Sequence, residues 1–186
     1  LRFISDDGEQ TTGSASTDDD TFKASLTSYA PTGSVFNANG QSIISGTSTG
    51  SIIPQSRLTG TVKYNGATIS TYDFTYDLAY ERGASCNDLA GTFSSTEGTY
   101  TETYTFNPDC SITGSDTDGC TFSGLISIDD PAYNAYDVRL TVAACGAMNG
   151  TYRGFGALVD DVSTDDTLAL QIESSDYIVS GTITRN

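Results

Sequence analysis

Histidine and tryptophan are absent from the 186 residues, methionine occurs once and proline four times. Without His, the common Ser-His and Cys-His nucleophile pairs lack their base, and histidine zinc sites lack their ligands. Without Trp there is no indole platform for a sugar ring. Basic residues are scarce as well: 8 Lys and Arg stand against 24 Asp and Glu, a formal net charge of -16. A chain so acidic repels phosphate backbones and anionic lipid surfaces, which argues against nucleic acid as a partner. No apolar run approaches the length of about 18 residues that a membrane-crossing helix needs, so no transmembrane span is expected. The opening residues, Leu1-Arg2-Phe3-Ile4-Ser5-Asp6, show no signal-peptide pattern, and a processed chain would show none either, so they do not fix a compartment.

What fills the sequence is β-prone and small. Ser and Thr number 51, Gly 19 and Tyr 11, and from Phe22 onward apolar and polar residues alternate with a period of two. Such alternation predicts half-buried strands. Turn formers separate them at Asn65-Gly66, Glu97-Gly98, Asn107-Pro108-Asp109, Asp118-Gly119 and Asn149-Gly150. The clearest hairpin runs from Thr61 to Ser70, where Asn65-Gly66 is expected to form a two-residue type I′ turn. Another long strand is expected over Thr68 to Tyr80. No helix of three turns is expected, only a brief helical turn near Cys86 to Ala90 capped by Ser85 or Asn87. The fold class is therefore all-β, an antiparallel, meander-rich barrel of about eight to ten strands, with a two-sheet sandwich as the alternative. Residues 1-21 read as a polar lead-in or tether, in which Leu1, Phe3 and Ile4 could add an edge strand, and 22-186 as a single all-β domain.

Four cysteines, Cys86, Cys110, Cys120 and Cys145, lack the paired spacing of a zinc knuckle and read as two disulfides. Two disulfides imply an oxidising compartment, periplasmic or extracellular. Folding the hairpin of Cys120 to Ile128 against Ala135 to Ala143 about Asp130-Pro131 sets Cys120 opposite Cys145, which leaves Cys86 for Cys110. Bridging Cys110 to Cys120 across the Gly114 to Gly119 turn, with Cys86 to Cys145, is the rival pairing.

Several words, among them Leu89-Ala90-Gly91-Thr92-Phe93, Gly119-Cys120-Thr121-Phe122-Ser123-Gly124 and Cys145-Gly146-Ala147-Met148-Asn149-Gly150-Thr151-Tyr152, resemble small secreted proteins and putative lipoproteins of Gram-negative bacteria that carry no assigned function. The likeness covers about residues 89 to 185. It implies a cell-envelope location in the periplasm, at the outer-membrane surface or outside the cell, and it carries over no catalytic residue. It also implies Cys120 and Cys145 as the characteristic pair, with Cys86 and Cys110 an added one. Many such proteins hang from a lipidated cysteine at the mature amino terminus. Leu1 stands there in this sequence, so the resemblance implies either a lipid anchor outside these residues or a soluble form.

Three kinds of residue are candidates for a site. Tyr72, Tyr76 and Tyr80 fall on one face of the expected Thr68 to Tyr80 strand, and Tyr104 lies on another. A barrel lumen lined by these phenols would suit a small amphipathic ligand, since each buried hydroxyl wants a partner. Asp116 and Asp118, followed by Gly119, resemble a fragment of a calcium loop, although the pattern ending in a bidentate Glu is missing. Among carboxylates, Glu97, Glu102, Asp73 and Asp77 are the ones an acid and base pair would draw on, and Glu102 shares a strand face with Tyr104. The reading favoured is a non-enzymatic cell-envelope β protein with a binding or structural role, its partner an envelope protein or a small amphipathic ligand. The alternatives are a ligand carrier with a tyrosine-lined barrel interior, an adhesin or pilus-like subunit, and a carboxylate-dependent carbohydrate-active enzyme.

Overall fold

In the computed structural model, which describes residues 2–4, 9–31, 33–36, 40–160 and 163–186, every strand pairs antiparallel with its neighbours. Turn chemistry dictates this. Asn65 and Gly66 both adopt positive φ, 49° and 80°, the geometry of a type I′ turn whose twist matches its flanking strands. The chain divides into two units, Leu1–Asp77 and Leu78–Asn186, where the sequence reading places one domain over 22-186.

The first unit is a six-stranded meander of β1 (Arg2–Ile4), β2 (Gln10–Asp18), β3 (Thr21–Tyr29), β4 (Ile43–Ile53), β5 (Arg57–Tyr64) and β6 (Ala67–Thr75), in sheet order 1 to 6. The polar lead-in is thus sheet over most of its length. Its hydroxyls explain why: Thr11 is fully buried, and its Oγ1 lies 2.5 Å from Ser28 Oγ, which also accepts the Tyr64 hydroxyl. A buried polar side chain is tolerable once it is hydrogen-bonded, so β2 needs few apolar residues. Phe22, Leu26, Ile44 and Val62 supply the apolar part of this core.

The second unit begins with a 3₁₀ turn (Leu78–Arg82) and a short helix α1 (Cys86–Leu89), whose N-cap Ser85 Oγ accepts from Asp88 N at 3.1 Å. Eight strands follow: β7 (Gly91–Glu97), β8 (Tyr100–Phe106), β9 (Ser111–Asp116), β10 (Thr121–Ser127), β11 (Tyr136–Ala143), β12 (Gly150–Val159), β13 (Thr167–Glu173) and β14 (Ile178–Arg185). They close into a barrel in which β14 returns to β7. Both disulfides take the hairpin-derived pairing, Cys86–Cys110 and Cys120–Cys145, with Cα separations of 5.2 and 4.7 Å.

One end of the barrel is stoppered. Leu89 of α1 is 2% exposed, and the Arg185 guanidinium lies 4.5 Å from the Phe93 ring centroid while donating to the carbonyls of Ala90 and Asp88 at 2.6 and 2.7 Å. Those carbonyls belong to the C-terminal end of α1, where helical oxygens lack intrahelical donors. Residues of β11 alternate strictly, Tyr136, Val138, Leu140 and Val142 inward and buried, Arg139 outward and exposed.

Candidate ligand site in the barrel interior

An eight-stranded barrel has an interior wide enough to be filled by side chains or to hold one small ligand. Here it is filled incompletely. A cavity with about 60 Å³ of room for the centres of water-sized molecules is lined by Ile112, Leu140, Leu168, Leu170, Ile172 and Val179, with Glu102 and Tyr104 as its polar wall.

Glycine placement explains both the packing and the gap. A Cβ on Gly154 would fall 1.9 Å from the Gln171 carbonyl oxygen, and one on Gly114 would fall 2.4 Å from that of Thr103. These positions allow strands to bend closely together. Beside Gly114 the rings of Tyr104 and Phe122 stack at 4.9 Å. Gly181 differs, since a Cβ there would meet nothing within 4 Å. It lines the cavity and is itself exposed, so the cavity reaches the surface beside it.

Strand pairing locates that opening. β14 pairs along its length with β13 but meets β7 only at Thr184–Ser94 and Arg185–Phe93. The stretch carrying Val179, Ser180 and Gly181, all lining the cavity, therefore has one ladder rather than two.

The polar wall is a carboxyl and a phenol on β8. The Tyr104 hydroxyl donates to Glu102 Oε2 at 3.0 Å. Burial raises the Glu102 carboxyl above the usual carboxylate range, opposed by this hydrogen bond and assisted by the charge of Asp116, its register partner on β9. Tyr104 is likewise pushed up, first by burial and then by Glu102. Asp116 is a turn organiser: its Oδ1 accepts from the backbone N–H groups of Asp118 and Cys120, each at 2.9 Å, and its Oδ2 accepts the Tyr100 hydroxyl at 3.1 Å.

The four tyrosines do not share one wall. The expected Thr68 to Tyr80 strand ends at Thr75, because Leu78 to Arg82 turn into a 3₁₀ segment. Tyr72 consequently belongs to the first unit, where its hydroxyl meets Ser48 Oγ at 2.8 Å. Tyr76 follows β6, its N–H donating to Ser56 O. Tyr80 stacks on Tyr133 with centroids 4.7 Å apart, and of the four only Tyr104 lines the barrel cavity. The carboxylates are dispersed too: Asp73 pairs with Arg57 in the first unit and Glu97 is exposed at a hairpin end, while Glu102 lines the cavity.

Asp116 also sits in a candidate metal cluster, since it, Cys120 and Cys145 each place an atom within 4.8 Å of the others. Both sulfurs are joined in a disulfide, and the thiolate is the form that ligates a metal. What the cluster offers a cation is thus one carboxylate already holding three intrachain donors. Asp118 is exposed on the adjoining turn. Sequence reasoning missed Gly181, whose signal was a glycine at an inward position of the Val179-Ser180-Gly181-Thr182-Ile183 alternation.

No family model matches this chain, and no curated protein or solved structure is detectably similar to it. Fold and site define an all-β protein of two units, one of them an eight-stranded barrel with an apolar cavity and a carboxyl–phenol pair in its wall.

Proposed function

We propose that this is a non-enzymatic binding protein of the cell envelope whose barrel takes up the apolar part of a small amphipathic ligand. The observation that carries the reading is the cavity behind Gly181, aliphatic over most of its wall and closed on one side by Glu102 and Tyr104. Apolar lining with a few convergent polar groups is the usual make-up of a small-molecule site. Two disulfides suit an oxidising compartment, which supports placement in the envelope or outside the cell. The acidic surface keeps such a chain soluble and away from anionic partners.

Methyl-labelled NMR of the full chain tests the reading with hexanol as the probe. The methyls of Leu170, Ile172 and Val179 are expected to shift saturably and together. Absence of shifts at millimolar hexanol, or shifts confined to exposed residues such as Leu125, would overturn it.

A further inference from the structure

Resting on the reading of the barrel as a ligand site, we propose that the ligand's polar end is a cation, a protonated primary amine seated on Glu102, with a short alkyl chain running into the barrel.

Four observations lead there. Glu102 Oε2 accepts the Tyr104 hydroxyl, whereas Oε1 has no intrachain donor among the described residues. An ammonium group brings three donors and fits that vacancy in both charge and hydrogen bonding. The charge acting on Glu102 is that of another carboxylate, Asp116, so an anionic head would face two negative groups.

The barrel's own cations are placed elsewhere. Arg139 and Arg153 stand opposite each other in the β11–β12 register, on the outer surface, and are exposed. Arg185 is engaged with the α1 carbonyls and the Phe93 ring at the stoppered end. Arg82 is clamped by Asp160 and Asp165, at 2.7 and 3.1 Å. A half-buried carboxylate without a basic partner has its charge only partly compensated, and an incoming cation supplies the rest.

The remaining wall selects against a bare metal ion. Calcium and magnesium require six or more oxygen ligands, and apart from Tyr104 and Ser180 the side chains lining the cavity around Glu102 are apolar, Phe106 among them. An alkylammonium matches it end to end, with the head at the carboxyl–phenol pair and the tail among Leu140, Leu170, Ile172 and Val179.

Cavity size sets the length of the tail. A cavity volume of about 60 Å³ corresponds to about four to six waters, and hence to roughly the same number of methylene groups. Each methylene that enters is expected to tighten binding roughly fourfold, and the gain should cease once the cavity is full.

Calorimetric titration of the full chain with butyl-, pentyl-, hexyl- and octylammonium, hexanol and hexanoate at neutral pH provides the test, repeated on Glu102→Gln and Gly181→Leu. Circular dichroism verifies that both variants fold. Hexylammonium is expected to bind tightest and hexanoate not at all. Glu102→Gln should weaken hexylammonium about tenfold, to the level of hexanol, because a charge-assisted bond becomes a neutral one. Gly181→Leu should abolish binding of both.

Hexanol binding with no preference for hexylammonium, or a preference that survives Glu102→Gln, overturns the cation inference and leaves the barrel reading standing. Hexylammonium binding unaffected by Gly181→Leu would mean that the amine sits on the acidic surface, and would overturn both.

Discussion

Gly181 and Gly154 both lie on the inward face of the barrel, yet they should respond to substitution in opposite ways. A Cβ at Gly154 would lie 1.9 Å from Gln171 O and 2.7 Å from the Ile172 Cα. Both obstacles are backbone, so Gly154→Ala must push β12 and β13 apart, an overpacking that costs about 1–3 kcal/mol. Gly181 has no such neighbour within 4 Å and no positive φ. There, Gly181→Ala removes the excess backbone entropy of a glycine in a strand, about 0.5–1 kcal/mol. Gly181→Val adds two further carbons worth about 0.8 kcal/mol each when fully buried, less about 0.5 kcal/mol of rotamer freedom. Because Gly181 borders the opening, burial is incomplete, and a net gain of about 1–1.5 kcal/mol is expected. Urea denaturation followed by tyrosine fluorescence measures both variants against the parent. A loss of stability of about 1 kcal/mol or more in Gly181→Val, comparable with that of Gly154→Ala, would mean that the space behind Gly181 does not exist, and the ligand site would fall with it.

Other consequences follow from the same packing. Removing Cys120–Cys145, which closes a loop of 25 residues, by replacing both cysteines with Ala should cost about 3.5 kcal/mol of barrel stability, read as a lower urea midpoint. In Glu102 burial raises the carboxyl in the folded state, so folding favours the protonated form below the unfolded value, and that contribution is lost as pH rises through the folded one. Glu102→Gln should accordingly be more stable than the parent near pH 7, with the difference shrinking toward about pH 4; melting temperatures across this range check the sign. In the first unit, Ser28→Ala leaves Thr11 Oγ1 and the Tyr64 hydroxyl without their shared partner and should cost about 1–3 kcal/mol, seen as faster amide exchange in β2 and β3.

Much of the fold was legible because its signals are local. Asn65-Gly66 specified its hairpin by backbone chemistry alone, and the alternation on both sides of Asp130-Pro131 favoured the cysteine pairing that forms over its Cys110–Cys120 rival. Ser85 was readable as a cap from its position before Cys86. Strand ends were less so: Tyr72, Phe74, Tyr76, Leu78 and Tyr80 keep perfect period-two spacing, but beyond Thr75 the chain forms a 3₁₀ turn. Spacing alone does not record where pairing stops, so a single tyrosine face was expected where two units meet in sequence. The β2 strand was missed for a different reason. Its buried residues are Thr11 and Thr12, and a count of apolar side chains does not register a core position satisfied by hydroxyl partners. Glu102 beside Tyr104 was visible as two residues on one strand face, whereas the cavity behind them depends on Gly181 and a two-pair seam between β7 and β14, a tertiary feature without a local signature.

The central claim is that the barrel contains reachable apolar space. A crystal of the protein pressurised with xenon tests it directly, since a dry cavity lined by aliphatic side chains takes up the gas. The account predicts a xenon atom among Leu140, Leu170 and Val179, lost in Gly181→Leu. A barrel interior without xenon, or one filled with ordered water hydrogen-bonded to Glu102, would contradict it.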